Sequence, residues 1–394
     1  MRKVAVFTGT RAEYGLLSGL IKAIQKNPQF ELQLLVSGMH LSPEFGETWH
    51  IIEEEGVSID AKVEMLLSSD TAVGVVKSVG LGIIGYADTL QRLNPDILVI
   101  LGDRFEALAI AQTAMLMRIP IVHLHGGEIT EGAYDDAIRH AITKMSTIHC
   151  TATEAYRRRV IQLGEEPSRV FNVGAIGLDY LQYLSFLSIS ELSASLTFDI
   201  NNPFFLVTYH PVTWANESPE VSLPALFKAL DAYPDYQVIM TYPNADNGGR
   251  QIMSMIKDYA VSQPARVLAV TSLGQLRYLS ALNHAAVVIG NSSSGIIEAP
   301  SFNVPTVDIG ARQKGRIAAD SVIHCEATSA AISEAISAAI QSKSLEPIIN
   351  PYDQGGAIPK IITILETMLL NSQKTFFDID ITAGLENEYN EYHR

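Results

Sequence analysis

Histidines, carboxylates and arginines gather in this chain in short stretches that each sit just behind or ahead of an apolar run. "VHLHGGE" (122–128) places His123, His125 and Glu128 around the pair Gly126-Gly127. Histidines two apart on a strand point the same way, so with Glu128 they could ligate a metal. No further histidine-rich cluster follows at metal-site spacing, and no metal is expected. His125 and Glu128 read better as acid–base or substrate-orienting groups, with His123 supporting the sheet end. The glycine pair reads as a close approach of backbone to a ligand.

"GDRFEA" (102–107) puts Asp103 and Arg104 after an apolar strand. A carboxylate there suits a general acid or base once partial burial raises its pKa; the alternative is an N-cap for the following helix. "YDDAIRHAITKMS" (134–146) opens with Asp135 and Asp136 ahead of a helical pattern, so that one can cap the helix and the other can meet a substrate. "YHP" (209–211) ends a strand with His210, placed to give a proton or a hydrogen bond near neutral pH.

Anion-binding groups form a second set. In "IGNSSSGIIEAP" (289–300) a strand ends at Gly290 and small polar residues precede a helical pattern. Free N–H groups, the hydroxyls of Ser292 and Ser293 and the helix dipole favour a phosphate there, against plain serine capping. Glu298, one turn in, can accept from ribose hydroxyls. Arg11 in "GTRAEYG" (9–15) and Arg312 in "DIGARQKGR" (308–316) can hold phosphate bidentately; Lys314 and Arg316 are weaker candidates. The Walker and GxGxxG patterns are absent from the serine turn, and no cofactor is expected.

These stretches need a scaffold that exposes strand ends. "KVAVFTG", "ELQLLVSG", "DILVILGD" and "PIVHLHGG" read as buried strands, alternating with helical patterns such as "RFEALAIAQTAMLM". That alternation indicates a parallel sheet covered on both faces. "FFLVTYHP", "YQVIMTYPN", "AAVVIGNSS" and "VPTVDIG" restart the scheme. The expected fold is α/β, with two Rossmann-like domains whose parallel sheets face a central cleft, since ligands bind at the carboxyl ends of such strands. The expected boundaries are 1–185 for the first domain and 186–370 for the second. Residues 371–394 form an acidic, aromatic tail expected to pack back on the first domain.

A formal charge of −15 over 394 residues argues against nucleic acid and anionic membrane as partners. The two cysteines, Cys150 and Cys325, form no disulfide pattern. "MRKVAVFTGTRAEYG" has too short an apolar run for a secretion signal, and no run approaches 18 apolar residues. A cytoplasmic, soluble protein is expected.

As a set and in this order, "TGTRAEYG", "SGMHLS", "GDRFEA", "HLHGGE", "DDAIRHAITKMS", "HP", "IGNSSSGIIE" and "GARQKGR" resemble the hydrolysing UDP-N-acetylglucosamine 2-epimerases of bacterial sialic-acid synthesis. The resemblance implies a glycosyltransferase-B type fold with UDP in the second domain. Ser292, Ser293 and Glu298 would surround diphosphate and ribose, near Asn244 and Asp246, while Arg11 and Arg312 reach the phosphates. His40 and Arg104 join the substrate-binding set. Asp103 and Asp135 match the catalytic carboxylates, and His210 a histidine near the leaving diphosphate. Some relatives carry glutamate where this chain has His125, a group whose reference pKa is about two units lower. The implied reaction eliminates UDP from UDP-N-acetylglucosamine through a 2-acetamidoglucal and adds water, giving N-acetylmannosamine. Rivals are the same reaction on a 2,4-diacetamido-2,4,6-trideoxy sugar of the legionaminic-acid type, non-hydrolysing epimerisation, glycosyl transfer, and sensing without turnover. Relatives imply a homodimer or homotetramer.

Overall fold

The computed structural model describes residues 1–69, 71–130, 134–182, 184–211, 219–243, 249–342, 348–369 and 373–379. Asn244 and Asp246, expected in the nucleotide site, lie outside them. The chain divides into two compact units. Unit 1 comprises Met1–Gly127, Ala137–Gly174 and Ala357–Arg394, and unit 2 comprises Glu128–Asp136 and Ala175–Gly356.

Unit 1 is built on β1 (Arg2–Thr8), β2 (Phe30–Ser37), β3 (Ala61–Val63), β4 (Ile97–Leu101), β5 (Ile121–Leu124), β6 (Ile148–Thr151) and β7 (Val170–Asn172). Their order in the sheet is β3-β2-β1-β4-β5-β6-β7, and every pair is parallel. Unit 2 holds β8 (Phe204–Thr208), β9 (Gln237–Thr241), β10 (Val267–Val270), β11 (Val287–Gly290), β12 (Thr306–Ile309) and β13 (Val322–Cys325). The order is β10-β9-β8-β11-β12-β13, again all parallel. Both orders reverse direction once, between β1 and β4 and between β8 and β11, the switch point where open α/β sheets place their ligands.

The continuous apolar runs follow from helices covering both faces. Val4, Ala5 and Val6 of β1 are buried, as are Phe205, Leu206 and Val207 of β8. The helix Arg11–Lys26 starts at a capping box, in which Thr10 Oγ1 accepts from Glu13 N and Glu13 reaches back to the Thr10 backbone. Its Tyr14, Leu17, Ile21 and Ile24 recur at helical spacing and are all buried.

The change of unit falls between Gly174 and Ala175, and the expected boundary at residues 185–186 falls inside unit 2, within the stretch 178–203. Its apolar residues are consumed in packing: Leu192 is buried, Phe186 meets Phe302 edge-on at 5.3 Å, and Leu187 N donates to Ser280 Oγ at 2.9 Å. The return to unit 1 comes at Ala357, earlier than residue 371. Gly355 and Gly356, both at positive φ (74° and 87°), turn the chain into the helix Ala357–Thr367. There Arg2 donates to the Leu365 carbonyl, and Asn27 Nδ2 to Glu366 Oε1 at 2.7 Å.

The helix Ala72–Leu93 is 22 residues long and apolar enough to cross a membrane by length and composition, although no uninterrupted apolar run marks it. Lys77, Asp88 and Arg92 break the run while the average stays apolar. In unit 1 it buries Tyr86 and Leu90 in the sheet's core cluster.

Two backbone features carry the strand ends. Gly290 closes β11 at φ 138°, and a Cβ there would lie 1.9 Å from the Thr208 carbonyl oxygen. On β5, His123 is fully buried. Its Nε2–H donates to Gly102 O at 2.8 Å, so Nδ1 is the acceptor toward Thr143 Oγ1 at 3.1 Å.

Two stability outcomes follow. Gly290→Ala should cost about 3 kcal/mol or more, because the clash is with backbone and the φ is strained; an unchanged urea midpoint would refute it. Burial holds the His123 imidazole down to about 3, from 6.5. The unfolded chain therefore binds the extra proton first, and the histidine's contribution is complete above pH 6.5 and lost as pH falls toward 3. At pH 5 the loss relative to pH 7 is ~2 kcal/mol. Urea midpoints at both pH values should separate less in His123→Gln than in the parent.

Candidate active site

In unit 1 the switch point is edged by the turn after β1, the turn after β4 and the chain leaving β5. Gly102 (φ 76°) bends the chain after β4 and presents Asp103. Its carboxylate pairs with the guanidinium of Arg139, whose side chain is 1% exposed against 25% for Asp103. The N-cap of the next helix, Phe105–Leu116, is Arg104, so the capping alternative for Asp103 falls. Arg139 belongs to the helix Asp135–Met145, on the buried stripe with Ile142 and Thr143. A buried arginine requires an anion, and Asp103 supplies it.

Arg104, expected to meet substrate, pairs with Glu106, with Nε 3.2 Å from Oε2. Glu106 is fully buried and needs this cation. Glu13 lies near it and accepts from Gly9 N (2.7 Å) and Thr10 N (3.1 Å). Burial, with the neighbouring Glu106 charge, pushes the Glu13 carboxyl up to about 7. These two carboxylates shape the turn whose exposed next residue is Arg11. His40 is fully buried: Nε2 lies 3.0 Å from Thr8 Oγ1 and Nδ1 2.8 Å from Thr48 Oγ1. Burial holds it down to about 4, so it is neutral near pH 7, and in this structure it braces the loop after β2.

His123 and His125 do not share a strand face, because β5 ends at Leu124. His125 N still donates to Cys150 O (2.9 Å), and then its φ of 63° swings the chain away. A non-glycine residue in the left-handed region costs free energy and is held there by its surroundings. The glycine pair has an intramolecular cause. A Cβ on Gly127 (φ 81°) would lie 2.5 Å from the Tyr156 carbonyl oxygen, and one on Gly126 would lie 3.1 Å from His123 Nδ1. The close approach seen here is to the protein's own backbone and side chains.

Glu128, Asp135 and Asp136 fall in unit 2. Glu128 is 4% exposed and pairs with Arg316 Nη2 at 3.2 Å, which makes Arg316 more than a surface charge. Asp136 accepts from Thr130 N at 3.0 Å. Asp135 begins the helix Asp135–Met145 and is partly accessible.

At the unit 2 switch point, Asn291 locks two strand ends together. Its Oδ1 accepts from His210 N (2.6 Å) and its Nδ2 donates to His210 O (2.9 Å). Arg312 Nη1 (3.0 Å) and Gln313 Nε2 (2.8 Å) both donate to Asn291 O. Burial, reinforced by the Arg312 charge, holds His210 down to about 3. It is neutral at pH 7, and of the two roles expected of it, a proton or a hydrogen bond, this state offers the hydrogen bond.

Ser292 caps the helix Ser293–Ile297 through Ser294 N. That helix has five residues, and its dipole is correspondingly weaker than the sequence suggested. Glu298 is its C-cap, and its carboxylate accepts from Ser294 Oγ, to which Tyr278 Oη donates at 2.7 Å. Burial raises the Glu298 pKa.

Sequence reasoning singled out Asp103 but missed Arg139, and it undervalued Arg316, Asn291 and Glu13. The signal for Arg139 was present: a charged residue at a core position of an amphipathic helix marks a buried ion pair. No local signal pairs Glu128 with Arg316, which lies far along the chain.

Known proteins agree with this architecture. A relative from Campylobacter jejuni named GDP/UDP-N,N'-diacetylbacillosamine 2-epimerase (hydrolyzing) is 40% identical over 325 residues, covering 82% of this chain and 84% of its own. Polysialic acid biosynthesis protein P7 of Escherichia coli is 34% identical, over 96% of this chain and 97% of its own. The crystal structure of UDP-GlcNAc 2-epimerase from Neisseria meningitidis bound to UDP-GlcNAc has the same fold. It matches with a TM-score of 0.78 at 18% identity, over 93% of this chain and 100% of that one. The UDP-N-acetylglucosamine 2-epimerase family matches residues 22–366, and with these two parallel-sheet α/β units the chain belongs to that family.

Proposed function

We propose that the chain is a hydrolysing 2-epimerase acting on a UDP-linked 2-acetamido sugar. The observation that carries the reading is Asp103, a carboxylate at a strand end, partly open to solvent and fixed by the buried Arg139. A base removes the C2 proton as UDP leaves C1, which gives a 2-acetamidoglucal. Water then adds to C1 and a proton returns to C2 from the other face, so the free 2-epimer and UDP are the products. The acid–base candidates are Asp103 and His125 in unit 1 and Glu128 and Asp135 in unit 2. Neutral His210 donates a hydrogen bond to the departing diphosphate. Arg312 and the hydroxyls of Ser292 and Ser293, all in unit 2, offset its growing charge, while Glu298 takes the ribose hydroxyls; Arg11 is the candidate phosphate ligand of unit 1.

Substituents at C4 and C6 divide two substrates. UDP-N-acetylglucosamine, leading to N-acetylmannosamine for sialic acid, is supported by the polysialic-acid relative. A UDP-2,4-diacetamido-2,4,6-trideoxy sugar is supported by the name of the 40%-identical relative.

Proton NMR in deuterated water, with each UDP-sugar in turn, tests the reading. A free 2-epimer carrying deuterium at C2, together with UDP, is expected from one of them. A UDP-linked epimer would mean the non-hydrolysing reaction, and two untouched substrates would refute the proposal. Asp103→Asn should lower kcat on the order of 10³-fold and should also lower the urea midpoint, because the buried Arg139 loses its anion; parental turnover by the folded variant would remove Asp103 from the acid–base set.

A further inference from the structure

The segment 373–379 lies beyond the span matched by the family, which ends at residue 366, and plays no part in the chemistry above. It docks on unit 1 at the amino-terminal edge of the sheet, opposite Asp103. Lys374 Nζ donates to Ser146 O and to Glu165 Oε2, both at 2.8 Å. Phe377 N donates to Gly164 O at 2.9 Å. Phe376 lies against Gly164 (φ 85°) so closely that a Cβ there would sit 2.3 Å from its ring.

Glu165, 3% exposed, gathers the contact. It accepts from His149 Nε2 (3.0 Å) and from Lys144 Nζ (2.5 Å) besides Lys374. Burial opposes the carboxylate's charge, yet these three donors hold it at about 2. Lys144 also lies 5.1 Å from the Phe376 ring centroid and donates to Leu163 O at 3.0 Å.

Lys144 and Ser146 stand at the end of the helix Asp135–Met145. At ~1.5 Å per residue its 11 residues run ~16 Å, from one sheet edge toward the other. Two of its side chains reach the turn after β4: Arg139 pairs directly with Asp103, and Thr143 bonds His123, which bonds Gly102 O. Whatever fixes the far end of this helix therefore fixes the Gly102-Asp103 turn.

We propose that residues 373–379 form a strap that positions Asp103 by clamping the end of the helix Asp135–Met145, with Lys374 and Phe376 as positioning residues. The inference rests on the catalytic reading of Asp103 given above.

The test is the double variant Lys374→Ala/Phe376→Ala in the full-length chain, read by amide deuterium exchange and by steady-state kinetics on whichever UDP-sugar the parent turns over. Expected are faster exchange across residues 137–146 and a fall in kcat on the order of tenfold, since small misplacement of a reacting group is costly, with KM little changed. Lys374→Arg/Phe376→Tyr should recover both. Unchanged exchange overturns the clamp. Faster exchange with parental kcat overturns the positioning role and leaves only a tail anchor. A parent inert on both sugars would count against the proposed function alone, and faster exchange in the variant would still support the clamp.

Discussion

A parallel strand covered by helices on both faces has little room for unpaired polarity along its length. Val4 to Val6, Ile97 to Ile100 and Phe205 to Val207 show almost no exposure. Polar side chains inside the sheets are mostly anchored: His123 spans Gly102 O and Thr143, and Gln33 Nε2 donates to Leu93 O at 3.0 Å while its Oε1 is left without a partner. An unbonded polar group there would cost more than its packing returns. Chemistry is thereby driven to the carboxyl edges, where the chain leaves the sheet through Gly102, His125 and Gly290 at positive φ. The two sheets share strand order, so this happens at equivalent places in both units.

At those edges charges come in pairs. Asp103 answers Arg139, Arg104 answers Glu106, and Glu128 answers Arg316. Each pair contains a side chain at most 10% exposed, which raises the penalty for removing its partner. A chain of net charge −15 can thus hold cations in place locally, and whole-chain charge says nothing about the site. His40, His123 and His210, in contrast, are buried and neutral. In the proposed reaction this leaves proton transfer to the other members of the acid–base set.

The alternation of strands and helices was legible because burial on both faces writes itself as uninterrupted apolar runs, and the strand-end positions of Asp103, His210 and Ser292 followed from it. Three features were not legible, for different reasons. The strand-face argument for His123 and His125 assumed that β5 continues, and nothing local announces that it stops at Leu124. The change of unit at residues 174–175 was hidden because 178–203 is as apolar as a core segment and is used as one. The Glu128–Arg316 pair joins residues distant in sequence, a contact that only the folded chain defines. The glycine signal carried less than its pattern suggested: Gly127 is already required by the Tyr156 carbonyl, a contact within the protein.

The two units solve the same geometric problem with different chemistry. In unit 1 the turns at the switch point are held by charges: Arg139 on Asp103, and Glu13 on the amides of Gly9 and Thr10. In unit 2 they are held chiefly by a neutral amide, Asn291, bonded to both backbone groups of His210 and accepting from Arg312 and Gln313. Ionic turns respond to protonation, and Glu13 at about 7 sits where that response begins. An amide has no such response, and its geometry survives a large change of charge beside it. Elimination of a nucleoside diphosphate needs both properties, groups that exchange protons with the sugar and a cradle that does not shift as negative charge builds on the leaving group. The division of labour in the proposed reaction is therefore written into what holds each turn, and the strand order alone does not carry it.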